Sequence, residues 1–422
     1  MNWTDTTIGD YCPFMYGKGL PRTKRSHGAV PVYGSNGCVD HHSESFTQGP
    51  GIVIGRKGSV GAVHLSEKPF WPIDTSFYVE KESLSELKFI YYLLKSLGLE
   101  HMNSDSAVPG LNRENAHSLY VNIPELKEDR EFLGQWMSQF DDKIELNRQT
   151  NQTLEQMAQA VFKSWFVDFD PIRAKIKAVE GGEDPTRAAM AAIAGKTIDQ
   201  LDTLSAGQIK SLTTAADLFP DKLIPSELGE IPEGWLAGEL KDIAEFSTDR
   251  VDVSNLTLQN YISTENMLEG KRGISSASSL PAVKTVPSFD LGQILISNIR
   301  PYFMKIWLAR FQGGRSNDVL GIDAKEAGGT EYLYNLLYQD NFFEFMMTTS
   351  KGAKMPRGDK DAIMGWRCVH PKLDVKKAYS KLVGGFYTQI EAKNEENKTL
   401  AQLRDTLLPK LLSGEIDLRE AV

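Results

Sequence analysis

The sequence predicts an α+β protein: two mixed α/β bodies separated by two long antiparallel coiled-coil helices, forming a tandem repeat with pseudo-twofold symmetry. Three observations predict it. The two halves resemble each other, two long segments carry a four-three apolar alternation, and the remainder is dense in short strand-and-turn patterns. The repeat shows when KIELNRQTNQTLEQMAQAVFKSWF is laid on QIEAKNEENKTLAQLRDTLLPKLL without gaps. Identities fall at Ile144/Ile390, Glu145/Glu391, Asn151/Asn397, Thr153/Thr399, Leu154/Leu400 and Gln156/Gln402. Trp3, Ile8 and Asp10 recur with the same spacing as Trp235, Leu240 and Asp242, and Pro109 and Pro124 recur as Pro356 and Pro371.

In chain order, residues 1–124 form the first body and 125–170 the first long helix. Residues 171–234 form a connector, 235–371 the second body, and 372–422 the second long helix with its tail. In the first body GPGIVIGRKGSVGAVHL reads as a strand, a turn through Gly55, Gly58 and Gly61, and a second strand; LGQILISNIRPYFMKIWLARF reads likewise in the second, with Pro301 breaking the run. Amphipathic periodicity predicts a helix over 86–99 and another over 331–347. The connector is rich in Gly, Pro, Ala and acid, which predicts one or two short helices among turns.

The first seam runs through Leu133, Met137, Phe140, Ile144, Asn147, Asn151, Leu154, Ala158, Val161 and Trp165. The second runs through Tyr379, Val383, Phe386, Ile390, Asn397, Leu400, Leu407 and Leu411, with lapses at Lys393 and Arg404. A narrow seam opposite polar faces favours helix pairing over packing on the bodies alone. Asn151 and Asn397 share a step of the two seams, where a polar side chain fixes register. About 33 residues at 1.5 Å each make a rod of roughly 50 Å, long enough to set two bodies on DNA segments about one helical turn apart. Because the bodies differ in sequence, the segments should differ as well.

Composition narrows the function. The 422 residues carry a formal charge of −9, which argues against coating nucleic acid by bulk attraction. Two basic islands stand out within that acidic chain: Lys18, Arg22, Lys24 and Arg25, and then Arg300, Lys305, Arg310 and Arg315, both without a carboxylate between them. No segment reads as a signal peptide or membrane span, which predicts a cytoplasmic protein, and Cys12, Cys38 and Cys368 read as buried free thiols. No catalytic or metal-ligating set is expected. Gly195-Lys196-Thr197 ends like a phosphate loop but begins at Met190, and Asn298-Ile299-Arg300-Pro301-Tyr302 is a poor match to the base-holding pentad of amino-methyltransferases. Asp74, Glu86 and Lys88 make an unspecific nuclease pattern, and Cys38, His41 and His42 match no structural zinc spacing.

The segments IGRKGSVGAVHL, PIDTSFYV, ISNIRPYFMKIW, LEQMAQAVFKSWFVDFDPIRAK, SELGEIPEGW and LLPKLLSGEI together give nearly the whole chain a close resemblance to the specificity subunits of Type I restriction-modification enzymes. The resemblance implies a non-catalytic, DNA-binding subunit of a system that defends against foreign DNA. Each body would be a target-recognition domain for half of a bipartite, asymmetric double-stranded DNA site, with the helices setting the gap. It also implies docking of two methyltransferase subunits and of restriction or motor subunits, with AdoMet, ATP and Mg on those partners and no cofactor on this chain. The competing readings are a self-contained DNA methyltransferase or nuclease with degenerate motifs, and a coiled-coil adaptor without a nucleic-acid role.

Physical chemistry nominates the contact residues. Arg56, Lys57 and Ser59 lie on a glycine-rich loop able to approach a DNA backbone. Arg300, Tyr302 and Lys305, with Lys351, Lys354, Arg357 and Lys360, take that part in the second body. Asn112, Arg113 and Asn317 are candidates for base edges, since arginine suits guanine and asparagine suits adenine.

Overall fold

The computed structural model describes residues 1–102, 110–352 and 354–418; Pro109, one landmark of the repeat, lies outside them. Two compact units divide the chain inside both long helices. Unit 1 comprises Met1–Gln149 with Lys393–Val422, and unit 2 comprises Thr150–Ala392.

In unit 1 a four-stranded antiparallel sheet has the order Met15–Tyr16, Ser76–Glu80, Gly51–Gly55, Val63–Ser66. A second sheet sets Val30–Gly34 between Gly37–His42 and Trp71–Pro72, the latter parallel to it. Every residue of Gly51–Gly55 is buried. Ile52 and Ile54 enter the core under the helix Leu84–Ser96, whereas Val53 points to the other face among Phe70 and Tyr78. Burial on both faces explains the unbroken apolar run. The strand Trp3–Thr7 pairs with Tyr120–Pro124 and brings the two ends of the body together.

Unit 2 repeats the order of the first sheet and extends the second to four strands. Its first sheet runs Ala244–Phe246, Val319–Ala324, Ile294–Ser297, Ile306–Leu308. Its second runs Arg250–Asp252, Thr285–Phe289, Gly313–Arg315, Tyr261–Ile262, again ending on a parallel pair. Leu236–Glu239 pairs with Arg367–His370 as Trp3–Thr7 does with Tyr120–Pro124.

The long helices run Lys127–Phe166 and Leu373–Leu412. Within unit 1 they are antiparallel: Arg404 ion-pairs with Asp141, while Asn147 Nδ2 donates to Asn397 Oδ1 at 2.9 Å. Leu133, Met137, Leu408 and Leu411 join the core of the first body. Within unit 2 the Tyr379 hydroxyl donates to the Ala158 carbonyl at 3.1 Å, and Phe162, Trp165 and Phe166 cluster with Tyr332 and Tyr379. The helices therefore pair with each other and also pack their ends on the bodies.

Several expectations are corrected. Asn147, a seam residue to which no register role was given, is fully enclosed and donates to Asn397 Oδ1 across the helix pair. The lapses at Lys393 and Arg404 are cross-helix contacts, to Asn147 Oδ1 at 3.3 Å and to Asp141. The helix expected over 331–347 is two, Thr330–Leu337 and Asp340–Thr348. The connector holds four helices, Asp170–Gly181, Pro185–Ala194, Ile198–Leu201 and Ala206–Asp217; Met190, Leu201 and Ala216 help form a small core there. Cys12 and Cys368 are buried, and burial pushes both thiols up to about 12, but Cys38 is exposed on a strand. Among the described residues no helix is long and apolar enough to cross a membrane.

Candidate nucleic-acid interface

The two bodies share a hydrogen-bonded framework that fixes which residues are equivalent. In the first, the strand Gly51–Gly55 ends opposite Ser76, and the N–H groups of Arg56 and Lys57 both donate to the Thr75 carbonyl. Leu111 N–H donates to the Arg56 carbonyl at 2.9 Å and Lys57 bridges Gly110. In the second, Ser297 lies opposite Val319, and Asn298 N–H donates to the Asp318 carbonyl at 2.8 Å. Gly358 N–H donates to the Asn298 carbonyl and Ile299 bridges Arg357. Arg56 thus corresponds to Asn298, Lys57 to Ile299, and Gly110 to Arg357.

The next step agrees. Asn112 caps the helix Arg113–His117 by accepting Asn115 N–H at 3.1 Å, and Asp359 caps Lys360–Met364 by accepting Asp361 and Ala362 N–H. Arg113 therefore corresponds to Lys360. At the start of each body the spacing that matches Trp3, Ile8 and Asp10 to Trp235, Leu240 and Asp242 carries Tyr16 onto Thr248.

In the first body this framework gathers candidates that are far apart in sequence. Arg56 and Arg113 each place their guanidinium carbon 5.0 Å from the centroid of the Tyr16 ring. Arg56 also donates through Nη1 to the Asp74 carbonyl, and Arg113 donates twice to Glu114 Oε1. Lys57 and Ser59 are exposed on the turn that follows. That turn requires glycine: a Cβ on Gly55 would meet the Ser59 carbonyl oxygen at 1.9 Å, and Gly61 has φ of +73° with backbone 2.2 Å from a Cβ. Lys18 lies 5.6 Å from the Phe46 ring and 5.9 Å from Trp71. Arg22 and Lys24 are exposed on a short 3-10 turn.

Arg25 departs from the expectation. It ion-pairs with Asp40 at 2.9 Å and donates from Nε and Nη2 to the Leu20 carbonyl, so it clips the loop together. Those contacts hold the Asp40 carboxyl below its ordinary range. The Asn112 amide oxygen is likewise spent on its helix cap, so bidentate pairing with adenine through that side chain would cost the cap.

In the second body Arg300 has φ of +49° at the head of the turn Pro301–Phe303, and its N–H donates to the Pro356 carbonyl at 2.8 Å. This bond seats the Arg300 turn on the Lys351–Arg357 hairpin. Arg300 is exposed, as is Tyr302 at 48%. Arg357 pairs with Asp318 at 3.2 Å, Lys351 pairs with Asp359, and Lys354 is exposed between them in sequence. Lys360 is exposed with its ammonium 5.8 Å from the Phe246 ring, and Asn317 is exposed next to Asp318. Lys305 donates to the Thr264 carbonyl at 2.8 Å. An open cavity of about 370 Å³ adjoins, lined by Thr264, Glu265, Ser278, Ser316 and Asp318 among others.

Arg315 is the clearest correction. It is 5% exposed and donates to the carbonyls of Ser288, Val319 and Ser247, and burial lowers its proton affinity. It holds two sheets together and offers nothing to a ligand. Tyr16 is the reverse case: it is not among the nominated contacts, and an aromatic ring two residues before the basic island at Lys18 is the signal the sequence carries for it.

The chain's likeness to known proteins agrees with this architecture. A family model described as the Type I restriction modification DNA specificity domain matches residues 1–156. The specificity subunit of the Type I restriction enzyme HindI from Haemophilus influenzae is 30% identical over 338 residues, 73% of this chain and 71% of that protein. The MjaIX specificity subunit of Methanocaldococcus jannaschii is 23% identical over 373 residues, 87% of this chain and 78% of its own length. The crystal structure of a Type I S subunit from M. genitalium shares the fold with a TM-score of 0.56 at 15% identity, covering 97% of this chain and 96% of that one. Repeated bodies, paired helices and these relatives together establish that the chain belongs to the specificity subunits of Type I restriction enzymes.

Proposed function

We propose that the chain reads a bipartite, asymmetric double-stranded DNA target, one component per body, and leaves methylation and cleavage to the subunits it docks. In this reading it is not itself an enzyme and works in the cytoplasm. AdoMet, ATP and Mg belong to the methyltransferase and motor partners, two of the docked subunits being methyltransferases. The observation that carries the reading is the shared framework with unlike side chains at its equivalent positions: Arg56 against Asn298, Lys57 against Ile299 and Gly110 against Arg357. One scaffold presented twice with different polar groups suits two different short sequences.

The test is to purify the chain with its methyltransferase subunits and map methylated adenines on random DNA. Two unlike components at one fixed gap are expected. A single component, or methylation by the chain alone, would overturn the proposal.

A further inference from the structure

We infer that Tyr16 is a specificity-determining positioning residue that sets Arg56 as the reader of a guanine O6/N7 edge in the first half of the target, with Arg113 as a second guanidinium on the same ring. The inference rests on the DNA-reading function proposed above and assigns chemistry to one of its sites.

The ring itself is fixed from below. Tyr16 lies directly across the sheet from Phe77, whose ring it meets edge-on at 5.1 Å, and Phe77 is buried in the core. Its upper part is open, with the residue 49% exposed. Arg56 lies 5.0 Å from Tyr16 and 5.7 Å from Phe77, and its Nη1 is tied to the Asp74 carbonyl at 3.3 Å. That bond leaves the Nε–Nη2 side of the guanidinium as a planar fork. A fork held by a cation–π contact and one hydrogen bond suits bidentate pairing with two acceptors in a plane, which guanine presents in the major groove. The same fork also fits two phosphate oxygens, so the salt dependence and the response to 7-deazaguanine separate the two contacts.

Charge points the same way. Arg56 and Arg113 share one ring, and their mutual repulsion is relieved only in part. Glu114 compensates Arg113, whereas Arg56 meets a neutral carbonyl. The pair is completed by an electron-rich edge.

The second body shows that the fold does not need this arrangement. At the equivalent positions it carries Thr248, a buried Asn298 and Lys360, on the same backbone hydrogen bonds. A scaffold that forms without the cation–π contact in one copy does not explain that contact in the other.

The experiment uses the full chain in complex with its methyltransferase subunits and measures binding to the mapped target, to unrelated DNA, and to targets with 7-deazaguanine at each guanine of the first component. For the native complex, 7-deazaguanine at one position should weaken binding about tenfold. Tyr16→Ala should weaken target binding by a similar factor, abolish the effect of 7-deazaguanine, and leave unrelated DNA and the salt dependence unchanged. Tyr16→Phe, which keeps the ring, should behave as native, and Arg56→Lys, which keeps the charge but loses the fork, should behave as Tyr16→Ala. Should Tyr16→Ala not fold, Arg56→Lys carries the test. A phosphate contact is the opposite result: Arg56→Lys retaining binding, or Tyr16→Ala weakening both DNAs equally with a shallower salt slope. Indifference of the native complex to 7-deazaguanine also overturns the inference. Failure of the native complex to prefer any target would instead sink the function on which it rests.

Discussion

The two bodies solve one backbone problem with different surfaces. Leu111 bonding to Arg56 in the first and Gly358 bonding to Asn298 in the second are the same hydrogen bond, yet the side chains beside it range from an arginine in cation–π contact to an enclosed amide. The second body places Arg357 on the bridge where the first has Gly110. Main-chain bonds therefore preserve the loop geometry, while the side chains above it can change without disturbing the sheets.

The largest effect should come from separating the bodies' frames. Inserting four residues beside Asn151 lengthens one helix without touching either framework; binding should shift to a target with a different gap or be lost, and an unchanged methylation map would refute the spacing role. Next come the two enclosed arginines. Arg315→Ala strands three carbonyls in the second body and should destabilise it by about 3 kcal/mol in urea unfolding. Arg25→Ala loses a shallower clip in the first body and should cost about 1 kcal/mol. Equal losses would break the contrast between buried strut and loop clip.

The caps sharpen the comparison further. Asn112→Ala should cost about 1 kcal/mol. Asp359→Ala should cost more in the same assay, because Asp359 also pairs with Lys351.

The smallest effect concerns acid. His117 Nε2 accepts the Phe14 N–H at 2.8 Å, while Met364 holds the equivalent place in the second body. Burial first, then the charge of Arg113, hold the His117 proton affinity down, with Glu114 opposing. The neutral ring is the folded form, so its contribution is complete above about pH 6.5 and falls away as pH drops through the lowered value. His117→Gln, which keeps an acceptor without titrating, should flatten that part of the first body's acid sensitivity, read by hydrogen exchange at the Phe14 amide. His370 in the second body, also lowered by burial, should be unaffected.

Much of this was legible beforehand. Burial on both faces makes the strand Gly51–Gly55 visible as an unbroken apolar run closed by glycine, and the four-three seam marks both long helices. Register was less legible, because heptads allow Asn397 to meet either Asn147 or Asn151, and the polar contacts of Glu396 and Lys393 with Asn147 select one. The connector helices were hidden by alanine-rich composition, although Thr197 with Gln200 and Ser205 with Gln208 are capping boxes that spelled two of them. The run 331–347 is apolar on too many faces to reveal its break between Leu337 and Asp340. At the candidate site, charge in sequence could not separate Arg315, sealed between sheets, from Arg300, open to solvent.

Cys38 gives the molecule a native handle. The other two thiols are enclosed and hold their protons to about 12, so a maleimide dye at neutral pH should attach at this one position. Its neighbour Asp40 carries the Arg25 clip, and the label would stand beside the basic loop of the first body. Fluorescence from an otherwise unaltered protein could then time the arrival of DNA at that body separately from its arrival at the other.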